Sequence, residues 1–269
     1  MMRPLVYLCS AVLSSASLFA QAPAGRAPPQ QAPASTQGAG RAAPTPDEIA
    51  ARQRAQQERL LNDWPNLARY RDENAKLAAP TSGENRVVFY GDSITDGWAR
   101  YFPAMFPGKP YVGRGIGGQT TPQMLVRFHA DVVALRPAAV VILGGTNDIA
   151  GNTGPATIEM IEDNLIAMTE IAKANGIRVV LSSVLPVYKY RWAPSLEPAM
   201  LIVKLNAWMK DYAARNGAVY LDYETTMSDE KHGLKCELTY DGVHPNAKGY
   251  RVMSLLAEKA ITDALRGAQ

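Results

Sequence analysis

The chain has 269 residues, 47% of them hydrophobic and 20% charged, which is enough apolar material for one well-buried domain with length to spare. Lys and Arg total 28 against 25 Asp and Glu, and no basic run is long enough to track a phosphate backbone, so the net charge of +3 points to no nucleic-acid partner. Two cysteines and three histidines, with no cluster at metal-ligand spacing, argue against a disulfide framework and against a His-built metal site.

At the N-terminus, Arg3 precedes an apolar run from Leu5 through Leu13 to Leu18-Phe19-Ala20, ended by small residues. This is the pattern of a secretory signal peptide over residues 1–20, with cleavage near Ala20 or, alternatively, after Ala22. The competing reading is a hydrophobic helix kept as an anchor. Cleavage removes Cys9 and leaves Cys236 as a single thiol. No later stretch approaches the roughly 18 apolar residues that cross a bilayer, so the processed chain is expected to carry no integral membrane segment and to be secreted or periplasmic. Residues 21–46 are almost entirely Ala, Pro, Gln, Gly, Ser and Thr, a composition that cannot offset its own ordering entropy, and they read as a disordered tether.

From Asp47 the composition turns helical, with Asp47 and Glu48 where a helix dipole favours negative charge and Pro65 interrupting the pattern. Leu60, Leu61, Trp64, Leu67 and Tyr70 fall near 3.6-residue spacing, so this segment, residues 47–80, is expected to dock one face on the main domain. An oligomerisation helix is the alternative, and the sequence itself sets no oligomeric state.

Residues 81–269 alternate strand and helix. Short β-branched runs at 86–90, 138–143, 178–185 and 218–221, with a weaker one around Tyr111-Val112, are separated by helical patterns near 120–135, 156–175, 199–215 and 246–266. Asn175-Gly176 and Asn216-Gly217 read as helix C-caps feeding the next strand. Continuous apolar strands alternating with helices predict an α/β fold whose parallel sheet is covered on both faces. Ligands bind such sheets outside the carboxyl ends of the strands.

Four segments at strand ends or in the last loop carry chemistry. Ser93, in Gly91-Asp92-Ser93-Ile94-Thr95-Asp96-Gly97, follows the first strand where a tight turn lifts a side chain out of the sheet. A serine hydroxyl needs a base, and His244 in Asp241-Gly242-Val243-His244-Pro245 is the best of the three histidines, with Asp241 placed to orient its ring. His129 lies in a helical pattern and His232 in a polar loop, where histidines are more often structural or solvated. Gly117-Gly118 offers backbone N–H groups and Asn147 a side-chain amide for an oxyanion. The Tyr188-Lys189-Tyr190-Arg191-Trp192 segment supplies flat, hydrogen-bonding side chains suited to sugars or aryl groups, with Tyr190 and Trp192 as substrate contacts; its alternative role is packing a surface loop.

Together these blocks resemble the SGNH hydrolase superfamily, the GDSL-type esterases and lipases, over about residues 86–266. The carrying residues are Gly91-Asp92-Ser93-Ile94-Thr95-Asp96, Gly115-Ile116-Gly117-Gly118-Gln119-Thr120-Thr121, Gly144-Gly145-Thr146-Asn147-Asp148 and Asp241-Gly242-Val243-His244-Pro245. The resemblance implies a three-layer α/β/α flavodoxin-like sandwich, Ser93 as nucleophile, His244 supported by Asp241, and an oxyanion hole from the Ser93 amide, Gly118 and Asn147. It implies no cofactor and no metal. One departure is visible: relatives often have Asn two residues before the glycine of the second block, where this chain has Gly113 and then Arg114, which keeps Gly117 beside Gly118 as a candidate donor. The expected activity is hydrolysis of short-chain carboxylic esters, acetyl esters on carbohydrate included, with a small ester or acylated carbohydrate as substrate. The alternatives are a lysophospholipase or thioesterase and, outside enzymology, a catalytically silent carbohydrate-binding module.

Overall fold

The computed structural model describes residues 45–266. The expected signal peptide and nearly all of the expected tether lie outside the described residues. The elements run α1 (Pro46–Asn62), α2 (Arg71–Lys76), β1 (Val87–Gly91), α3 (Ser93–Ala99), α4 (Phe102–Met105), β2 (Tyr111–Gly115), α5 (Thr121–Asp131), β3 (Ala139–Leu143) and α6 (Thr146–Ile149). They continue with α7 (Ile158–Ala174), β4 (Arg178–Ser182), α8 (Pro198–Asn216), β5 (Val219–Leu221), α9 (Glu224–Met227) and α10 (Ala247–Arg266).

All five strands are parallel, in the order β2-β1-β3-β4-β5, with Gly91 of β1 opposite both Gly115 of β2 and Leu143 of β3. Strand residues alternate between the faces, so each helical layer has its own core. Val88, Tyr90, Val140, Ile142 and Leu181 pack with Met124 and Phe128 of α5, Ile161 and Leu165 of α7 and Leu205 of α8. On the opposite face, Val87, Phe89, Val141 and Val180 pack with Trp98 of α3 and with Tyr250, Met253 and Ala257 of α10. Each fully buried aliphatic or aromatic side chain here contributes about 1.5–3 kcal/mol relative to an exposed one. Two apolar cores on one sheet make the three-layer α/β/α sandwich that the sequence predicts.

The sheet winds one way from β1 to β2 and the other way from β3 onward, so its topological switch point lies between the ends of β1 and β3, where open α/β sheets place their ligands. Both predicted C-caps form: Gly176 and Gly217 adopt φ of +70° and +65°, ending α7 and α8.

The N-terminal segment differs from its expected docking. Of the residues proposed to form its apolar face, Tyr70 is buried at 4% exposure, whereas Leu61 is 86% exposed and Trp64 and Leu67 are 38% and 41% exposed. The chain leaves helix at Asp63, whose carboxylate accepts the Leu67 and Ala68 amides, so the 3.6-residue period does not carry through Pro65.

Candidate active site

Ser93 sits at the first position of α3, directly behind β1. The cap of this helix is Asp92, whose Oδ1 accepts the Ile94 amide at 2.9 Å. The turn is held tightly from the side: a Cβ on Gly115, the last residue of β2, would lie 2.1 Å from the Asp96 nitrogen and 2.7 Å from the Asp92 carbonyl oxygen. Only glycine permits this approach, which brings the loop after β2 against the Ser93 turn.

The structure brings Ser93, His244 and Asp241 into one hydrogen-bonded chain. Ser93 Oγ is 3.0 Å from His244 Nε2, and His244 Nδ1 is 2.7 Å from Asp241 Oδ2. An ionised carboxylate only accepts, so the Nδ1 proton faces Asp241 and the Nε2 lone pair faces the serine hydroxyl. Asp241 Oδ1 accepts the Val243 and His244 amides at 2.9 and 2.7 Å, and Thr239 Oγ1 donates to the His244 carbonyl at 2.7 Å. Burial works to raise the Asp241 pKa, but the His244 amide and ring and the Val243 amide outweigh it and hold the carboxyl below its usual range. Asn246 caps α10, its Oδ1 accepting the Lys248 and Gly249 amides.

The loops after β2 and β3 close around the same turn. Gly118 adopts φ +78°, and a Cβ on Gly117 would lie 3.8 Å from the Ser93 Cβ. Asn147, buried at the start of α6, donates from Nδ2 to the Gln119 carbonyl at 2.9 Å and to Asp92 Oδ2 at 3.3 Å. Its Oδ1 accepts from Asn152 Nδ2 at 2.9 Å, and that nitrogen also reaches the Gly118 carbonyl at 3.2 Å. Asp148 fixes the β3 loop to the start of α5 by accepting the Thr121 amide and hydroxyl. Burial raises the pKa of both Asp92 and Asp148 to about 6.

The 188–192 segment requires a correction. Tyr190, expected to touch substrate, is 0% exposed; its hydroxyl pairs with Thr146 Oγ1 at 2.8 Å and donates to the Thr146 carbonyl at 3.0 Å. Burial pushes this phenol up, so it stays a neutral donor beneath the Asn147 loop. Trp192 is 49% exposed and lies over Tyr190 with ring centroids 5.1 Å apart. Because Tyr190 is core, Tyr190→Ala is expected to cost about 3–5 kcal/mol, read as a lower urea midpoint. A midpoint equal to that of the parent protein would contradict the core role.

Two neighbours escaped the sequence reading. Tyr240 stacks on the His244 ring, with centroids 5.9 Å apart and planes 11° from parallel. Its position next to Asp241 in the last block was the signal. Asn152 had none, because a polar residue in a Gly-Asn-Thr-Gly turn looks like any other loop residue. His129 is exposed on α5, and His232 lies 3.9 Å from Glu224; neither belongs to the Ser93 cluster. Among the described residues, no group of three His, Cys, Asp or Glu side chains could hold a metal ion, and no helix is long and apolar enough to cross a membrane.

Comparison with known proteins shows the family and the fold. A candidate acylhydrolase from Bacteroides fragilis NCTC 9343 superposes with a TM-score of 0.74 at 47% identity, covering 76% of this chain and 99% of that one. The acetylxylan esterase of Xylanibacter ruminicola is 24% identical over 239 residues, 76% of this chain and 47% of that protein. The uncharacterized lipoprotein YqeF of Bacillus subtilis is 30% identical over 122 residues, 39% of this chain and 50% of that protein. This chain thus spans about half the length of the curated relatives it matches. The family model described as GDSL-like Lipase/Acylhydrolase matches residues 89–252, from the strand just before Ser93 to the helix behind His244, and the chain belongs to that family.

Proposed function

We propose that the protein is a serine esterase that hydrolyses short-chain carboxylic esters, acetyl esters of carbohydrate hydroxyls among them, through an acyl-enzyme. The observation that carries this reading is the Ser93–His244–Asp241 chain, with contacts of 3.0 and 2.7 Å. Ser93 Oγ attacks the ester carbonyl carbon as its proton passes to His244 Nε2, and Asp241 stabilises the imidazolium. The tetrahedral oxyanion is met by the Ser93 amide, a Gly118 or Gly117 amide and the Asn147 side chain, the last turning from the Gln119 carbonyl to the oxyanion. The C–O bond breaks, the alcohol leaves with the His244 proton, and water repeats the sequence on the acyl-serine to release the acid.

The acetyl and carbohydrate preference is supported by the acetylxylan esterase relative. Secretion to the periplasm or beyond rests on the apolar run ending at Ala20.

An acyl-length series on aryl esters, run beside acetylated xylan, tests the reading. Acetyl and butyryl esters should turn over fastest, with rates falling beyond about four carbons. A long apolar tunnel would instead gain about 0.8 kcal/mol of binding per buried methylene. A twelve-carbon ester hydrolysed faster than acetyl would move the assignment to a lysophospholipase or thioesterase, and absence of any hydrolysis to a silent binding module.

A further inference from the structure

The family match begins at residue 89, yet the loop expected to hold the oxyanion is gripped by residues that precede it. That loop, 116–119, is bounded by the Gly115 carbonyl and the Gln119 side chain. Tyr70 donates its hydroxyl to the Gly115 carbonyl. Gln119 Nε2 donates to the Pro65 carbonyl at 2.7 Å, and Gln123 Nε2, one helical turn on, donates to the Trp64 carbonyl at 2.7 Å. Arg114 stacks on the Tyr70 ring with its guanidinium 4.7 Å from the centroid. Its Nε donates to Asn74 Oδ1 at 2.7 Å, and Asn74 Nδ2 in turn reaches Asp131 Oδ1 at 2.7 Å.

From the sheet side, the fully buried Arg127 completes the clamp. It donates to Gln119 Oε1 at 2.5 Å, to the Arg114 carbonyl at 3.0 Å and to the Gly91 carbonyl at 2.8 Å. The loop is therefore fixed at both ends, and Gln119 links it onward through its own carbonyl to Asn147. Within the segment Trp64 and Leu67 are exposed at 38% and 41%, so these polar contacts hold it to the domain together with the buried Tyr70 ring and Leu77, which packs against the core.

We infer that residues 63–77 form a strap that positions the oxyanion loop, with Tyr70 as the positioning residue that sets its entry and the Trp64-Pro65 carbonyls setting its exit. This rests on the esterase reading above. Donors must lie within a few tenths of an ångström of the oxyanion to stabilise the transition state, whereas ground-state binding tolerates looser placement. The strap should therefore act on kcat rather than on KM.

The test is Tyr70→Phe in the full chain, which keeps the ring under Arg114 and removes only the hydroxyl, assayed with an acetyl aryl ester. kcat should fall roughly 10- to 100-fold with KM within about twofold, and affinity for an alkylboronic acid, which mimics the tetrahedral species, should fall in parallel. Combined with Asn147→Ala, the loss should be less than the product of the two single effects, because both act on one oxyanion site. Asp63→Ala, which releases the turn carrying Trp64 and Pro65, should lower kcat in the same manner, while Leu61→Ala on α1 should leave it unchanged. A lower Tm in Tyr70→Phe with kcat and boronate affinity intact would overturn the strap and leave Tyr70 purely structural. If Ser93→Ala kept its activity the esterase reading itself would fall; an inactive Ser93→Ala beside a fully active Tyr70→Phe overturns the strap alone.

Discussion

Ser93→Ala is expected to lower kcat/KM by roughly 10⁴–10⁶ while leaving Tm almost unchanged. The asymmetry follows from how the turn is built. The cap of α3 is the Asp92 carboxylate, not the serine hydroxyl, so the helix keeps its first-turn bond. The hydroxyl pairs with His244 Nε2, which sits in a partly exposed loop where water can replace it. Loss of the hydroxyl thus removes the attacking atom and little else. Steady-state rates, thermal melts and mass mapping of an organophosphonate adduct on the parent protein check this together. Retained turnover above a few per cent in a clean preparation, or an adduct on another serine, would withdraw the nucleophile from Ser93.

Asp241→Asn should cost about 10⁴ in kcat, although the change is isosteric. The Val243 and His244 amides both point at Oδ1, so an asparagine must place its oxygen there and turn its NH₂ toward the imidazole. That forces the other tautomer, with the proton on Nε2 and no lone pair facing Ser93. The variant should also respond differently to acid. The folded-state pKa of Asp241 is lowered, so its stabilising contribution is complete above the unfolded carboxyl pKa of about 3.9 and is lost as pH falls through the folded value. Asp241→Asn should therefore lose less stability than the parent protein on acidification below about pH 4, read by urea titration at a series of pH values. A kcat within tenfold of the parent would mean that His244 is oriented by something else.

The sheet was legible because buried parallel strands advertise themselves as short β-branched runs. Within the runs read at 86–90, 138–143 and 178–185, Val87 to Tyr90, Ala139 to Leu143 and Arg178 to Leu181 pair, and the edge strand Tyr111–Gly115, interrupted by Gly113 and Arg114, gave a weak signal. The run at 178–185 stops pairing at Ser182, where the chain turns to put Val184 and Leu185 into opposite cores. Short helices such as Phe102–Met105 and Glu224–Met227 are below the length at which periodicity can be recognised. In the site, Ser93, Asn147, Asp241 and His244 could be named because each follows a strand or sits in the final loop beside residues with no other clear purpose. Tyr190 was misplaced because two residues of a loop look alike in sequence whether their rings point to solvent or inward; the Thr146 contact that decides it is 44 residues distant. The strap was invisible for a related reason. Two of its bonds are made by main-chain carbonyls of Trp64 and Pro65, which any residue carries, and the Tyr70 and Asn74 partners lie 45 and 57 residues away.

The bond between Ser93 and His244 spans 151 positions of sequence, whereas His244 and Asp241 are bound within four residues of each other. The His244–Asp241 pair can form locally in its own loop, but Ser93 meets it only after α10, the last described helix, has docked on the sheet. Closing so long a loop is entropically costly and kinetically late. Recovery of esterase activity after dilution from denaturant is therefore a clock for that docking event, lagging any signal from the β1–β3 core, and during synthesis the Ser93–His244 contact waits until the chain through α10 has emerged.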